Sequence, residues 1–284
     1  MSDSAAVAAA GPARVAVRKT YKLFIGGKFP RSESGRTYQV QDSNVALASR
    51  KDLRDAVVAA RAAVKGWSGA TAYNRGQILY RVAEMLEGRR EQFVALGEPA
   101  GEVDAAIDRW VWYAGWSDKL PQVYGGVNPV AGPYFNLSTP EPTGVAGVVA
   151  PAEPSLLGVV SVVAPVIVSG NTAVVLASPT RPLAAVTLAE VLATSDLPGG
   201  VVNVLTGTIT ETAPWLASHL DVDALDLTGV ADPQLAVELE QAAAGNLKRV
   251  LRPAVGSVDW TADPGTRRMT TFLETKTVWH PKGS

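Results

Sequence analysis

Few residues of this chain have the type and spacing that covalent or metal chemistry needs. None of its 284 residues is a cysteine, which removes disulfides, zinc-thiolate sites, iron–sulfur clusters and a thiolate nucleophile from what it can do. Its two histidines, His219 and His280, lie far apart. Neither has the spacing of a metal site or a triad, and both read as structural or solvated. Glu153 follows the apolar run Val145 to Ala150 and is a candidate acid or base, although a lone carboxylate at a strand end is more often just solvated. Trp110, Trp112, Tyr113 and Trp116 could stack on a ring-shaped ligand; on a helix, such aromatics are read first as packing residues.

The elements that would position these residues are legible from periodicity. Hydrophobic residues make up 47 % of the chain and charged residues 19 %, enough to bury a sizeable core. Twenty-six Lys and Arg against 27 Asp and Glu give a net charge of −1, with no basic stretch interleaved with aromatics, so nucleic acid is not an expected partner. The first twenty residues carry Asp3 early and Arg14, Arg18 and Lys19 late, the reverse of a secretory signal, and read as a disordered tail on a cytoplasmic protein. The apolar stretch Leu156 to Val168 is interrupted by Gly158, Ser161 and Pro165. It falls short of the roughly 18 residues a spanning helix needs, so no membrane is expected.

Tyr21 to Val40 reads as strand, turn, strand around Gly26-Gly27 and Ser34-Gly35. Ser49 to Asp52 has the form of a capping box, followed by Leu53, Val57, Ala60, Val64 and Trp67 at helical spacing. A second amphipathic helix carries Ile78, Leu79, Val82, Leu86, Phe93 and Leu96, and a third is predicted over Asp104 to Leu120. From there, apolar strands alternate with helices: Val145 to Ala150, Ser155 to Ser169, Thr172 to Leu176, Leu183 to Thr194, Val201 to Leu205, Ala213 to His219, Ala224 to Leu227, Pro233 to Ala244 and Lys248 to Leu251. That alternation predicts an α/β chain with a doubly wound, Rossmann-like parallel sheet. Ligands of such sheets sit at the strand carboxyl ends, here Ala150 to Glu153, Ala177 to Arg181, Thr206 to Ile209 and Thr228 to Val230. The alternation stops at Asp263. The segment Thr271 to Trp279 reads as an edge strand or one that pairs with another chain.

Several words of the sequence, in order, resemble the aldehyde dehydrogenase superfamily. They are Phe24 to Phe29 (FIGGKF), Tyr113 to Lys119 (YAGWSDK), Glu141 to Val145 (EPTGV), Ser169 to Thr172 (SGNT), Leu197 to Gly207 (LPGGVVNVLTG), Leu227-Thr228-Gly229, Asn246 to Val250 (NLKRV) and Glu274 to Val278 (ETKTV). The resemblance implies a nicotinamide-binding Rossmann domain, a catalytic domain with a cysteine nucleophile, and a β arm for oligomerisation. On that basis residues 1–20 are a tail and 21–263 the Rossmann-type domain, with arm strands near 125–144 where Val127, Val130, Tyr134, Phe135 and Leu137 fall in place. Residues 264–284 are the C-terminal oligomerisation strand, and the catalytic domain is missing between them.

The family's roles can be followed onto this sequence one by one. The family's oxyanion Asn, in a Pro-Trp-Asn word, corresponds to Glu153 in Pro151-Ala152-Glu153, where a carboxylate would repel the developing negative charge. The family's general-base Glu corresponds to Pro253. With the thiol absent, all three catalytic roles are vacant. The cofactor turns that the resemblance points to are Ala150, Pro151, Ala152, Gly207, Thr228 and Gly229. They are altered: Ala177 replaces a ribose-holding Lys, Ile209 replaces the second Gly of a Gly-x-Gly turn, and Val230 replaces the Ser of Thr-Gly-Ser. The expectation is a catalytically inactive subunit that needs no cofactor, with weak NAD or NADP binding at most. Its arm would join a full-length aldehyde dehydrogenase, or a second copy of itself. The alternative is an NAD(P)-linked oxidoreductase component acting on aldehydes within a composite complex.

Overall fold

The structure, a computed structural model, describes residue 15 and residues 17–283. The tail expected over residues 1–20 falls largely outside the described residues.

Three short strands, β1 (Thr20–Tyr21), β2 (Thr37–Val40) and β3 (Ser43–Ala46), form a small sheet in the order β1-β3-β2. The hairpin expected within Tyr21 to Val40 is therefore redrawn. Ile25 bridges only to Lys28, and Phe24 instead exchanges backbone hydrogen bonds with Val204 at 2.9 and 2.7 Å. The helices α1 (Arg50–Gly69), α2 (Ala72–Glu87), α3 (Arg90–Ala95), α4 (Ala100–Ala114) and α5 (Leu120–Tyr124) follow. The capping box is present as predicted: Ser49 Oγ accepts from the Asp52 amide while Asp52 accepts from the Ser49 amide. The single helix expected from Ile78 to Leu96 is two, divided at Gly88, and the helix expected from Asp104 starts four residues earlier and breaks at Gly115.

The chain then forms β4 (Gly126–Asn128), β5 (Tyr134–Pro142), β6 (Val145–Val149), α6 (Ser155–Val168), β7 (Thr172–Leu176), α7 (Pro182–Leu192), β8 (Val202–Leu205), α8 (Ile209–Ser218), β9 (Ala224–Asp226), α9 (Pro233–Ala243), β10 (Arg249–Leu251), α10 (Arg267–Thr271) and β11 (Leu273–Pro281). The five strands β10-β9-β6-β7-β8 form one parallel sheet. The strand order reverses between β6 and β9, the arrangement of a doubly wound Rossmann-like fold. Each of its central strands is buried along its whole length because helices cover both faces.

On one face, α6 and α7 lie on the sheet and α2 and α4 pack over them; on the other lie α1, α8 and α9. Trp110 and Tyr113 of α4 are fully buried in the core on that face, with Trp112 and Trp116 packed beside them, so the aromatic cluster is core. Trp67 ties α1 to the far side by donating its indole N–H to the Ile167 carbonyl at 2.8 Å. The stretch 259–272 lies against α4, α6 and β10, where Met269 and Phe272 are wholly buried. A short helix therefore occupies part of what the sequence reads as extended from Thr271. The third sheet, β11-β5-β4, is antiparallel and stands apart as an arm.

Among the described residues, no helix is long and apolar enough to cross a membrane.

Candidate functional site

The carboxyl ends of β6 and β9 meet at the strand-order reversal, where such folds take ligands. Ala150 and Pro151 are buried there, and Ala152 and Glu153 are exposed. Across from them, the Gly229 amide donates to the Val149 carbonyl at 2.9 Å. A Cβ on Gly229 would lie 2.1 Å from the Ala150 carbonyl oxygen, so glycine is required and the two turns are pressed together. Of the six turn residues singled out above, Ala150, Pro151, Ala152, Thr228 and Gly229 are thus brought side by side. Gly207 is not; it lies just past β8, two strands from β6, against Leu47 and Ala48. Glu153 and Pro253 do not face one another either, because β9 lies between the strands they follow.

The amino terminus of α6 opens onto the same turn and is filled from within. Glu102 of α4 accepts from the Leu156 and Leu157 amides at 2.8 and 3.1 Å, the place an anionic ligand would take. Beside it, Ser155 Oγ donates to Glu98 at 2.6 Å. Arg181, the residue before α7, reaches Glu98 at 3.6 Å and Glu153 at 3.4 Å. Burial raises the Glu98 carboxyl above the usual carboxylate range, against the Ser155 hydrogen bond and the Arg181 charge, both of which lower it. Glu153 itself is 67 % exposed; it is a solvated carboxylate leaning on an arginine.

A second charged group was not anticipated. Asp226, the last residue of β9, is wholly buried. Arg268 of α10 reaches it at 2.9 Å and also donates to Thr228 Oγ1 at 3.0 Å. Asp226 accepts from the Thr228 amide at 2.9 Å and from the Thr228 hydroxyl. Burial pushes this carboxyl up, while Arg268 and Thr228 draw it down. Behind the pair, Arg109 holds the carbonyls of Trp260 and Ala262 at 2.6 and 3.0 Å, and burial pushes the Tyr113 phenol up to about 12. The sequence did carry a signal: a charged residue inside the apolar run Ala224 to Leu227 demands a buried partner.

The fit of a dinucleotide can be tested against these groups. The Thr228 hydroxyl is already committed to Asp226 and Arg268. Ala177 is a buried methyl with no group to offer a ribose, and Ile209 packs half-buried against the α1/α8 core. Glu98, Glu102 and Glu153 place three carboxylates around the entrance of α6. These residues do not fit a tightly held pyrophosphate. Among the described residues, no cluster of His, Asp or Glu could hold a metal ion.

The arm differs in kind. Its nine β11 residues pair antiparallel with β5 from Leu273↔Pro142 to Pro281↔Tyr134. Residues opposite one another share a face, so Val127, Phe135, Leu137, Val278 and His280 form one side. Val127, Phe135 and Val278 there are 61, 44 and 40 % exposed. The other side carries a ladder from Asn128 to Asn136 and Ser138, and from Ser138 to Thr277. Lys276 pairs with Glu141 at 3.0 Å, and Arg249 anchors Glu274 from the main sheet.

Comparison with known proteins accounts for this architecture. The aldehyde dehydrogenase family profile matches residues 37–256. Aldehyde dehydrogenase, cytosolic 1, of Elephantulus edwardii is 32 % identical over 249 residues, covering 81 % of this chain and 49 % of that protein. Human retinal dehydrogenase 2 is 31 % identical over 252 residues, or 82 % and 48 %. Among solved structures, the NAD+ complex of an aldehyde dehydrogenase from Bacillus cereus superposes with a TM-score of 0.77 at 25 % identity, over 82 % of this chain and 50 % of that one. A Burkholderia cenocepacia protein described as a putative aldehyde dehydrogenase gives 0.76 at 30 % identity. The chain spans about half the length of the curated relatives it matches. With its doubly wound sheet, its N-terminal helices and this match, the chain belongs to the aldehyde dehydrogenase family.

Proposed function

We propose that this chain is a non-catalytic, cytoplasmic member of its family that works as a structural or regulatory subunit, assembling through its β arm with a full-length aldehyde dehydrogenase. The observation that carries the reading is the arm itself, a nine-residue edge strand beside an exposed apolar strip of Val127, Phe135 and Val278. An edge and an apolar face of this kind favour pairing with another chain. The chemistry points the same way. There is no cysteine, Glu153 leans on Arg181, and the residues at the strand ends do not fit a dinucleotide. The role requires no cofactor.

The test is co-expression of the tagged chain with full-length aldehyde dehydrogenases of its own host, followed by native mass measurement. The expected result is a complex of fixed ratio. Recovery of the chain alone, as a monomer or a homo-oligomer, overturns the reading, the homo-oligomer by assigning the arm to a second copy. The purified chain by itself is expected to oxidise no aldehyde with NAD or NADP above a cofactor-free control. The other role considered, an NAD(P)-linked component of a composite site, requires a dinucleotide affinity that the committed Thr228 hydroxyl works against.

A further inference from the structure

On the α1 and α8 side of the sheet, away from the β6/β9 crevice, the surface carries two adjoining clefts of about 640 and 460 Å3. They share Ser49, Arg50 and Trp215 as a common wall. Trp215 is 43 % exposed although its neighbours Leu216 and Ala217 are buried. The Arg50 guanidinium lies 3.6 Å from the centre of its ring. That contact holds a long side chain flat and leaves its donor fork free, so less freedom is lost when the fork meets an anion.

The local charges are unevenly matched. Lys51 reaches Glu33 at 3.7 Å, and Arg54 pairs with Asp55 at 2.8 Å. The Asp52 carboxylate is taken up by Ser32 and by the Glu33 and Ser49 amides. Among the described residues, Arg36 and Arg50 have no carboxylate within 4.0 Å, and both line the smaller cleft with Glu211 as its single acid. In the larger cleft, His219 Nδ1 accepts the Asp221 amide at 3.2 Å. Two unpaired guanidiniums match the geometry of a phosphate. The part of the Trp215 indole that Arg50 leaves uncovered supplies apolar surface for a base.

We propose that the α1/α8 cleft binds a nucleoside phosphate, with the phosphate between Arg36 and Arg50 and the base against the exposed part of Trp215. Each of the two clefts is by itself of the size small-molecule sites occupy. The site is separate from the β6/β9 turns and from the arm, so it stands or falls apart from the proposed subunit role.

Titration calorimetry of the full chain with ADP tests it, with adenosine and inorganic phosphate as the two halves of the ligand. ADP is expected to bind, and each half to bind at least about tenfold more weakly. Arg36→Gln, Arg50→Gln and Trp215→Leu, all at exposed positions, are each expected to weaken ADP by about tenfold or more with unchanged circular dichroism. Thr228→Val is expected to leave ADP binding as it was. Absence of ADP binding at millimolar concentration would overturn the proposal, as would an affinity indifferent to Arg50→Gln and Trp215→Leu. Loss on Thr228→Val with retention in Arg50→Gln would move the ligand to the strand ends and also defeat it. Phosphate binding as tightly as ADP would remove the nucleoside from the assignment.

Discussion

At the carboxyl ends of β6 and β9, the chain answers its polar groups from within. Glu102 fills the amino terminus of α6, Arg268 meets Asp226, and Gly229 closes onto Ala150. The arm does the opposite, with β11 exposed along nearly all of its nine residues and apolar side chains standing out from its face. Both regions sit on the same scaffold. A crevice sealed by its own residues has little left with which to bind and polarise a substrate, whereas an edge left open retains backbone groups and apolar area that another surface can take up. The contrast separates the two things a family member can do, and it predicts that mutations in the two regions will have different readouts.

The largest effect is expected at Arg268. Replacing it by Ala strands the wholly buried Asp226 carboxylate, and breaking one side of a buried pair typically costs about 3–5 kcal/mol. Urea unfolding should register that loss. The double variant Asp226→Leu with Arg268→Met should recover most of it, since an apolar pair of similar size avoids desolvating charge. A loss below about 1 kcal/mol in Arg268→Ala would mean that the turn is held by something else. Gly229→Ala comes next. Its methyl would meet backbone oxygen at 2.1 Å, and since no flexible side chain is there to yield, about 1–3 kcal/mol is expected from the same measurement.

A smaller effect is expected at Glu98, and its sign follows from burial. The folded-state carboxyl is raised above its unfolded value, so its contribution to stability is present below the unfolded carboxylate range and is lost as pH rises through the folded value. Glu98→Gln keeps an acceptor for Ser155 and removes the buried charge. The variant should therefore match the parent in acid and exceed it near neutral pH, by roughly 2–4 °C in Tm if the difference amounts to about 1 kcal/mol. Thermal melts from pH 4 to 8 would show the gap opening. A gap that closes with rising pH would show that Arg181, at 3.6 Å, outweighs burial.

How far the sequence could be read depended on the range of the interactions involved. Strands β6 to β10 and their helices were legible because each is an uninterrupted apolar run, a pattern set by burial on both faces. The Ser49 capping box was legible because all its partners lie within four residues. The turn at Gly26-Gly27 is legible, and Ile25 and Lys28 bridge across it, but the partner of Phe24 is not, because Val204 belongs to the free edge of a distant strand. The helix boundaries at Gly88 and Gly115 were missed because the apolar period runs on past them. In the candidate site the position of the strand-end turns is legible, but Glu98, Glu102 and Arg268 are not. They reach it from α4, its approach and α10, far away in sequence, and side-chain partners at that range leave no local pattern.

The smallest effect on the folded chain is expected in the arm, where it is also most informative. Phe135 and Val278 are about 40 % exposed or more and lie on the same face, so replacing either by Asp should change unfolding stability by no more than about 0.5 kcal/mol. The same charge placed where a partner must exclude water would remain unpaired, and the complex should fail to form in the native mass measurement. Stability and assembly are thus expected to separate: Arg268→Ala lowers the first and Val278→Asp abolishes the second. A Val278→Asp chain that still assembles would free that apolar face of any role and leave as the contact the outer edge of β11 or the opposite face, where Tyr134 and Trp279 are exposed. Backbone pairing along that edge would then be broken by Thr277→Pro, because proline cannot donate to a strand ladder.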